Sequence, residues 1–143
     1  MKLCEVAGIL ILLLLCSITD IKEKKIYIFP CIIFMVIGII MEFMIGQRGI
    51  LSICIGMLPG IFVYMAGIIT REGIGKGDAL VFIVIGIFMG LMKCMILLIC
   101  SLFLIAGIGV ILLFIRKGNL KTKIPFVPFI TVSFMIIICM GTF

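Results

Sequence analysis

The sequence predicts an all-α integral membrane protein with about six transmembrane helices and both termini outside. Three observations predict it. Of the 143 residues, 66% are hydrophobic and 13% charged, and the mean hydropathy is +1.59, far from the composition of a water-soluble domain. Apolar runs recur six times, and six spans of about 20 residues would occupy roughly 120 positions. The net charge of +6 is spread in short clusters between those runs rather than along one face, which fits membrane topology and a lipid bilayer as partner, not nucleic acid.

The first run, residues 6–18, begins close to the N-terminus and is short. A signal peptide has that length, but Glu5 offsets Lys2 and the basic cluster follows the run instead of preceding it, so it is expected to stay as a span. Residues 26–45 and 50–70 are full-length runs, separated by the interruption 46–49. Residues 79–92 form a shorter one, with Lys93 as the expected break before residues 94–115, and residues 124–142 close the set. No interruption is long enough to fold alone, so residues 1–143 are expected to form one membrane-embedded domain.

Orientation follows from the cations. Lys22, Lys24, Lys25, Arg71, Lys76, Arg116, Lys117, Lys121 and Lys123 lie in the interruptions after the first, third and fifth runs, against Lys2, Arg48 and Lys93 on the other side. Loops rich in Lys and Arg stay in the cytoplasm, which places those three loops inside.

The chain has no His, so Ser-His and Cys-His catalysis are excluded. Its seven cysteines show no two-to-four-residue spacing of a zinc site, and all but Cys4 lie in apolar runs, where Cys acts as a small hydrophobe. No metal or cofactor is expected.

Ionisable groups near membrane depth are costly and mark function. Glu5 and Glu42 fall at outer ends of runs, and Glu23 and Glu72 sit among cations. Asp20 and Asp78 differ, because each lies where a cytoplasmic interruption joins a run. Asp78 precedes a run of 14 residues, roughly 21 Å of helix against a core of about 30 Å. Either the membrane thins there, or the helix starts earlier and Asp78 lies below the interface. Two carboxylates brought together in such a place share one proton, providing an acid and a base near neutral pH. That chemistry hydrolyses a peptide bond without His or metal. A turn before a helix, with Asp78 as N-cap, would give the same letters.

Three segments together resemble the type IV prepilin peptidase family, membrane aspartyl proteases with a Gly-x-Gly-Asp motif. Asp20 with the basic segment 21–26 is similar to the family's first catalytic aspartate and its trailing motif. Gly75-Lys76-Gly77-Asp78 resembles the second, and Ile124-Pro125-Phe126-Val127-Pro128-Phe129 is similar to its Ile-Pro-Phe-Gly-Pro-Phe signature. The resemblance implies that Asp20 and Asp78 are the catalytic pair and that prepilin or pseudopilin precursors are cleaved at the cytoplasmic face of a bacterial membrane. It also implies a peptidase without the soluble methyltransferase domain of the bifunctional members.

Gly75 and Gly77 would let the backbone approach an extended substrate. Lys76 either adds to the cytoplasmic count or favours ionisation of a nearby carboxylate. Pro125, Phe126 and Pro128 either start the last helix or line the cleft. Gly56-x-x-x-Gly60 and Gly86-x-x-x-Gly90 fit close helix approach, although sixteen glycines give such spacings by chance as well. The chain departs from the family at Tyr27-Ile28, where Pro-Asn is usual, at Leu80 for a frequent Lys, and at Val127 for Gly. An alternative from another class is a small transporter or a non-catalytic assembly subunit, with the same aspartates as proton or cation sites.

Overall fold

The computed structural model describes residues 3–23, 27–45, 49–69, 76–115 and 125–141. Every regular element among them is a helix: α1 (Leu3–Glu23), α2 (Ile28–Ile45), α3 (Ile50–Gly56), α4 (Leu58–Ile69), α5 (Lys76–Met89), α6 (Leu91–Ile115) and α7 (Val127–Cys139). The all-α class is therefore as expected. Of the topology-setting cations, Lys2, Lys24, Lys25, Arg48, Arg71, Arg116, Lys117, Lys121 and Lys123 lie outside the described residues.

Three boundaries differ from the sequence reading, each for a local reason. The third run is two helices rather than one, because Pro59 has no N–H to continue the ladder. Around the resulting turn the N–H of Met57 is shared between the carbonyls of Ile53 (3.2 Å) and Cys54 (3.3 Å). The break between α5 and α6 falls at Gly90, not at Lys93. Gly90 has φ +77°, a left-handed conformation that ends α5 and leaves Lys93 inside α6. Finally, the stretch expected to be loop after the first run continues as helix to Glu23. Thr19 accommodates this by donating its hydroxyl to the Cys16 carbonyl at 2.9 Å, and the Tyr27 hydroxyl, just before α2, donates to the Glu23 carboxylate.

α5 is the central column. It packs against α1, α2, α3, α4 and α6, and α7 closes the bundle against α1 and α6. From Ala79 onward its residues are apolar all round and Val81, Phe82, Val84, Ile85, Ile87 and Phe88 are fully buried, as a stretch without a polar face requires. Gly56, Gly60 and Gly86 bring its backbone directly onto α3 and α4. A Cβ on Gly86 would fall on the carbonyl oxygen of Gly56, and one on Gly60 would lie 2.8 Å from the Cα of Ile83. The glycine spacing thus serves close approach. On the other side, the Phe88 ring fills the space between Gly8 of α1 and Gly38 of α2.

The exterior is as apolar as the core. Phe29, Phe43, Phe62, Phe103, Phe114 and Ile69 all point outward, far more exposed apolar surface than a water-soluble monomer carries. Ile50–Ile69 and Leu91–Ile111 are long and apolar enough to cross a membrane, while Ile28–Met44, Gly77–Met89 and Val127–Cys139 are shorter apolar helices.

Candidate active site

Among the described residues, only two charged side chains are buried. They are Asp20, 8% exposed, and Asp78, 7% exposed, the two carboxylates that the sequence singles out.

Asp20 sits in the last turns of α1, beyond the apolar run of residues 6–18. Its partner comes from the other end of the chain. The backbone N–H of Val127 donates to Asp20 Oδ2 at 3.1 Å. Val127 opens α7 and Pro128 follows it. The first amides of a helix have no partner within it, so the proline at 128 forfeits nothing there and the free N–H of Val127 goes to the carboxylate. Residues 125–129 therefore span the start of α7 and carry the amide that meets Asp20. Burial pushes the Asp20 carboxyl above its ordinary range, and the amides of Val127 and Phe126 work against that rise.

Asp78 lies in the first turn of α5, as its third residue. The helix begins earlier than the apolar run does, so Asp78 lies inside α5 and is not its N-cap. Lys76 opens α5 and Gly77, half-buried, follows it, while Gly75 lies outside the described residues.

Two contacts place the aspartates at one end of the bundle. Phe88 meets Gly8, so the C-terminal part of α5 lies beside the N-terminal part of α1. At the opposite end the ring of Phe82 meets that of Phe126 at 6.1 Å between centroids, next to the amide that holds Asp20. α1 and α5 thus run antiparallel. Asp20 is 12 residues from Gly8 and Asp78 is 10 from Phe88, roughly 18 Å and 15 Å along the two axes. Both carboxylates consequently reach about the same height, within a helical turn. Phe82 is four residues after Asp78, on the same face of α5, so that face is turned toward Phe126 and the Asp20 cradle.

Further polar groups near the cradle are satisfied locally. The Thr131 hydroxyl donates to the Val127 carbonyl at 3.0 Å, and the Ser133 hydroxyl to that of Phe129 at 2.9 Å. One turn before Asp20 on α1, the buried Cys16 thiol meets the buried Cys31 thiol of α2.

Sequence reasoning missed Val127 and Phe82. Val127 stands where the resembling family usually has Gly. Since the contact uses the backbone, any residue except proline supplies it, and the departure leaves the interaction intact. Phe82 carried no signal beyond its helical spacing from Asp78.

Two buried carboxylates at one end of a tightly packed core are suited to general acid and base work on a bound water and a carbonyl. The model of the type IV leader peptidase family matches residues 7–111, a stretch that includes both aspartates and the Gly75-Lys76-Gly77 string and stops short of α7. No curated protein and no solved structure matches the chain. Because the match spans most of the sequence, this chain belongs to the type IV leader peptidase family.

Proposed function

We propose that the protein is an intramembrane aspartyl endopeptidase that removes the basic leader from prepilin or pseudopilin precursors at the cytoplasmic face of the bacterial cytoplasmic membrane. Asp20 and Asp78 are its catalytic pair: one carboxylate takes a proton from water, and the other protonates the carbonyl oxygen of the scissile peptide. The observation that carries this reading is the burial of these two carboxylates, alone among the described charged side chains, at one end of adjacent helices. Family membership makes peptide hydrolysis the relevant chemistry, and a chain without His offers no imidazole for it.

The same reading extends to the membrane. α3 and α4 together make one span, and α1, α2, α5, α6 and α7 make the others, giving six with both termini outside. The apolar exterior supports this, as does the excess of cations in the three loops assigned to the cytoplasm. Gly75, Lys76 and Gly77 before Asp78, and Pro125, Phe126 and Pro128 before and within α7, flank the cleft that receives the extended leader junction.

The test is co-expression with candidate pilin precursors, reading leader loss by mass. Wild type should release the leader, and Asp20→Asn and Asp78→Asn should each reduce cleavage by about 100-fold or more, the scale of a lost general acid or base. Undiminished cleavage by either variant refutes the pair. Proton-coupled flux in liposomes without any cleavage would assign the aspartates to ion transfer instead.

A further inference from the structure

One pair of reactive side chains takes no part in the chemistry proposed above. Cys16 of α1 and Cys31 of α2 are free thiols, only 1% and 2% exposed, and they are hydrogen-bonded to each other across the two helices. A cysteine that acts as a small apolar filler needs no second sulfur. Cys94 shows that ordinary case, for its thiol donates to the Phe82 carbonyl at 3.6 Å. Two thiols in contact are different, because only two hydrogens and a short closing movement separate them from a disulfide.

The pair also stands next to the site. Cys16 is four residues before Asp20, so both lie on one face of α1, and the thiol interacts with the Asp20 charge. α1 packs on α2 and on α7, two helices that share no packing interface of their own among the described residues. Cys31 meets α1 from the side of α2, whereas the Val127 N–H meets Asp20 from α7 at 3.1 Å, near the long end for such a bond. Closing the two sulfurs to about 2.0 Å draws this turn of α1 toward α2 and away from the amide.

We propose that Cys16 and Cys31 are an oxidation site, closed to a disulfide by hydrogen peroxide, and that the closure disables the neighbouring Asp20. The effect on cleavage rests on the aspartyl peptidase reading above, while the crosslink itself does not. One thiol attacks a peroxide oxygen, giving a sulfenic acid and water. The other then attacks that sulfur, forming the S–S bond and releasing a second water. Overall each sulfur gives up one electron, and the peroxide takes both together with the two thiol protons. Peroxide is small and uncharged, which suits a pair shielded from larger oxidants. A dithiol reductant reverses the step by exchange. Since the cytoplasm keeps thiols reduced, the dithiol is the working form and the disulfide is the form made under oxidative stress.

The test uses the protein in membranes, treated with hydrogen peroxide, alkylated and digested. It should yield a linked peptide carrying both cysteines, lighter by two hydrogens than its two parts. Cleavage of a pilin precursor should fall about 100-fold, the scale of a catalytic group displaced by about 1 Å, and dithiothreitol should restore it. Cys16→Ala and Cys31→Ser each remove one sulfur, and both should cleave as reduced wild type does and keep that rate under peroxide. Absence of the linked peptide would overturn the oxidation site. A linked peptide with undiminished cleavage would overturn its control of Asp20, as would an equal peroxide loss in the two variants. Reduced wild type that cleaves no precursor would instead refute the peptidase reading, with the linked peptide still deciding the oxidation site.

Discussion

The helix carrying Asp78 is surrounded by neighbours, and its backbone meets α3 and α4 with only glycine between them. The helix end carrying Asp20 is held differently, by the amides of Phe126 and Val127, the latter 107 residues away. Around α5, position is set by close packing, which tolerates no added atom. Around Asp20, position is set by a directional bond whose geometry depends on how α7 docks. One carboxylate is thus built into the rigid part of the bundle, and the other is oriented from outside its own helix.

The strongest way to break this contrast is at the glycine contact. Gly86→Leu should force α5 away from α3, since even a Cβ there would meet the Gly56 carbonyl. The expected destabilisation is about 3 kcal/mol or more, at the upper end for overpacking, read as a lower melting temperature in detergent. The matching change on α6 is Gly107→Ala, where a Cβ meets nothing within 4 Å. It should be neutral or gain up to about 1 kcal/mol through helix propensity.

A smaller effect is expected where the two regions touch. Phe126→Ala removes the ring contact with Phe82, and beyond lost burial such a pair contributes about 0.5–1.5 kcal/mol. Because Val127 follows directly, cleavage should drop more than the amount of folded protein does. Equal losses would mean that the contact stabilises the bundle without orienting Asp20.

The smallest effect is a dependence of stability on pH. Asp20 has a raised pKa in the folded chain, mainly through burial. Its contribution to stability is fully present below the unfolded pKa and is lost as the pH rises through the folded value. Asp20→Asn, which removes the charge and keeps an oxygen to accept the Val127 N–H, should therefore melt higher than wild type at neutral pH. The gain should vanish on acidification below the ordinary carboxylate range. A gain that is constant with pH would show that ionisation of Asp20 is not its source.

Much of this arrangement was legible in the residues themselves. Asp20 and Asp78 stood out because carboxylates at the edge of apolar runs demand a reason, and both are buried. The glycine spacing was visible too, but only the docking of α5 on α3 and α4 distinguishes close approach from chance. Lys93 misled because a charge resembles a boundary, whereas the backbone turns at Gly90, whose positive φ suits glycine. Pro59 lies inside the apolar run 50–70, and its effect on the ladder separates α3 from α4. The bond from Val127 to Asp20 was beyond reach for a different reason. An amide is common to nearly every residue, so a contact made by one leaves no trace in composition or spacing.

That bond also sets an order in time. A ribosome adding about 5–20 residues per second delivers Val127 roughly 5–20 s after Asp20, because 107 positions lie between them. During synthesis the first helix is made well before its carboxylate can meet the amide of Val127. The nascent chain thus cannot complete the cradle of Asp20 until α7 has been made.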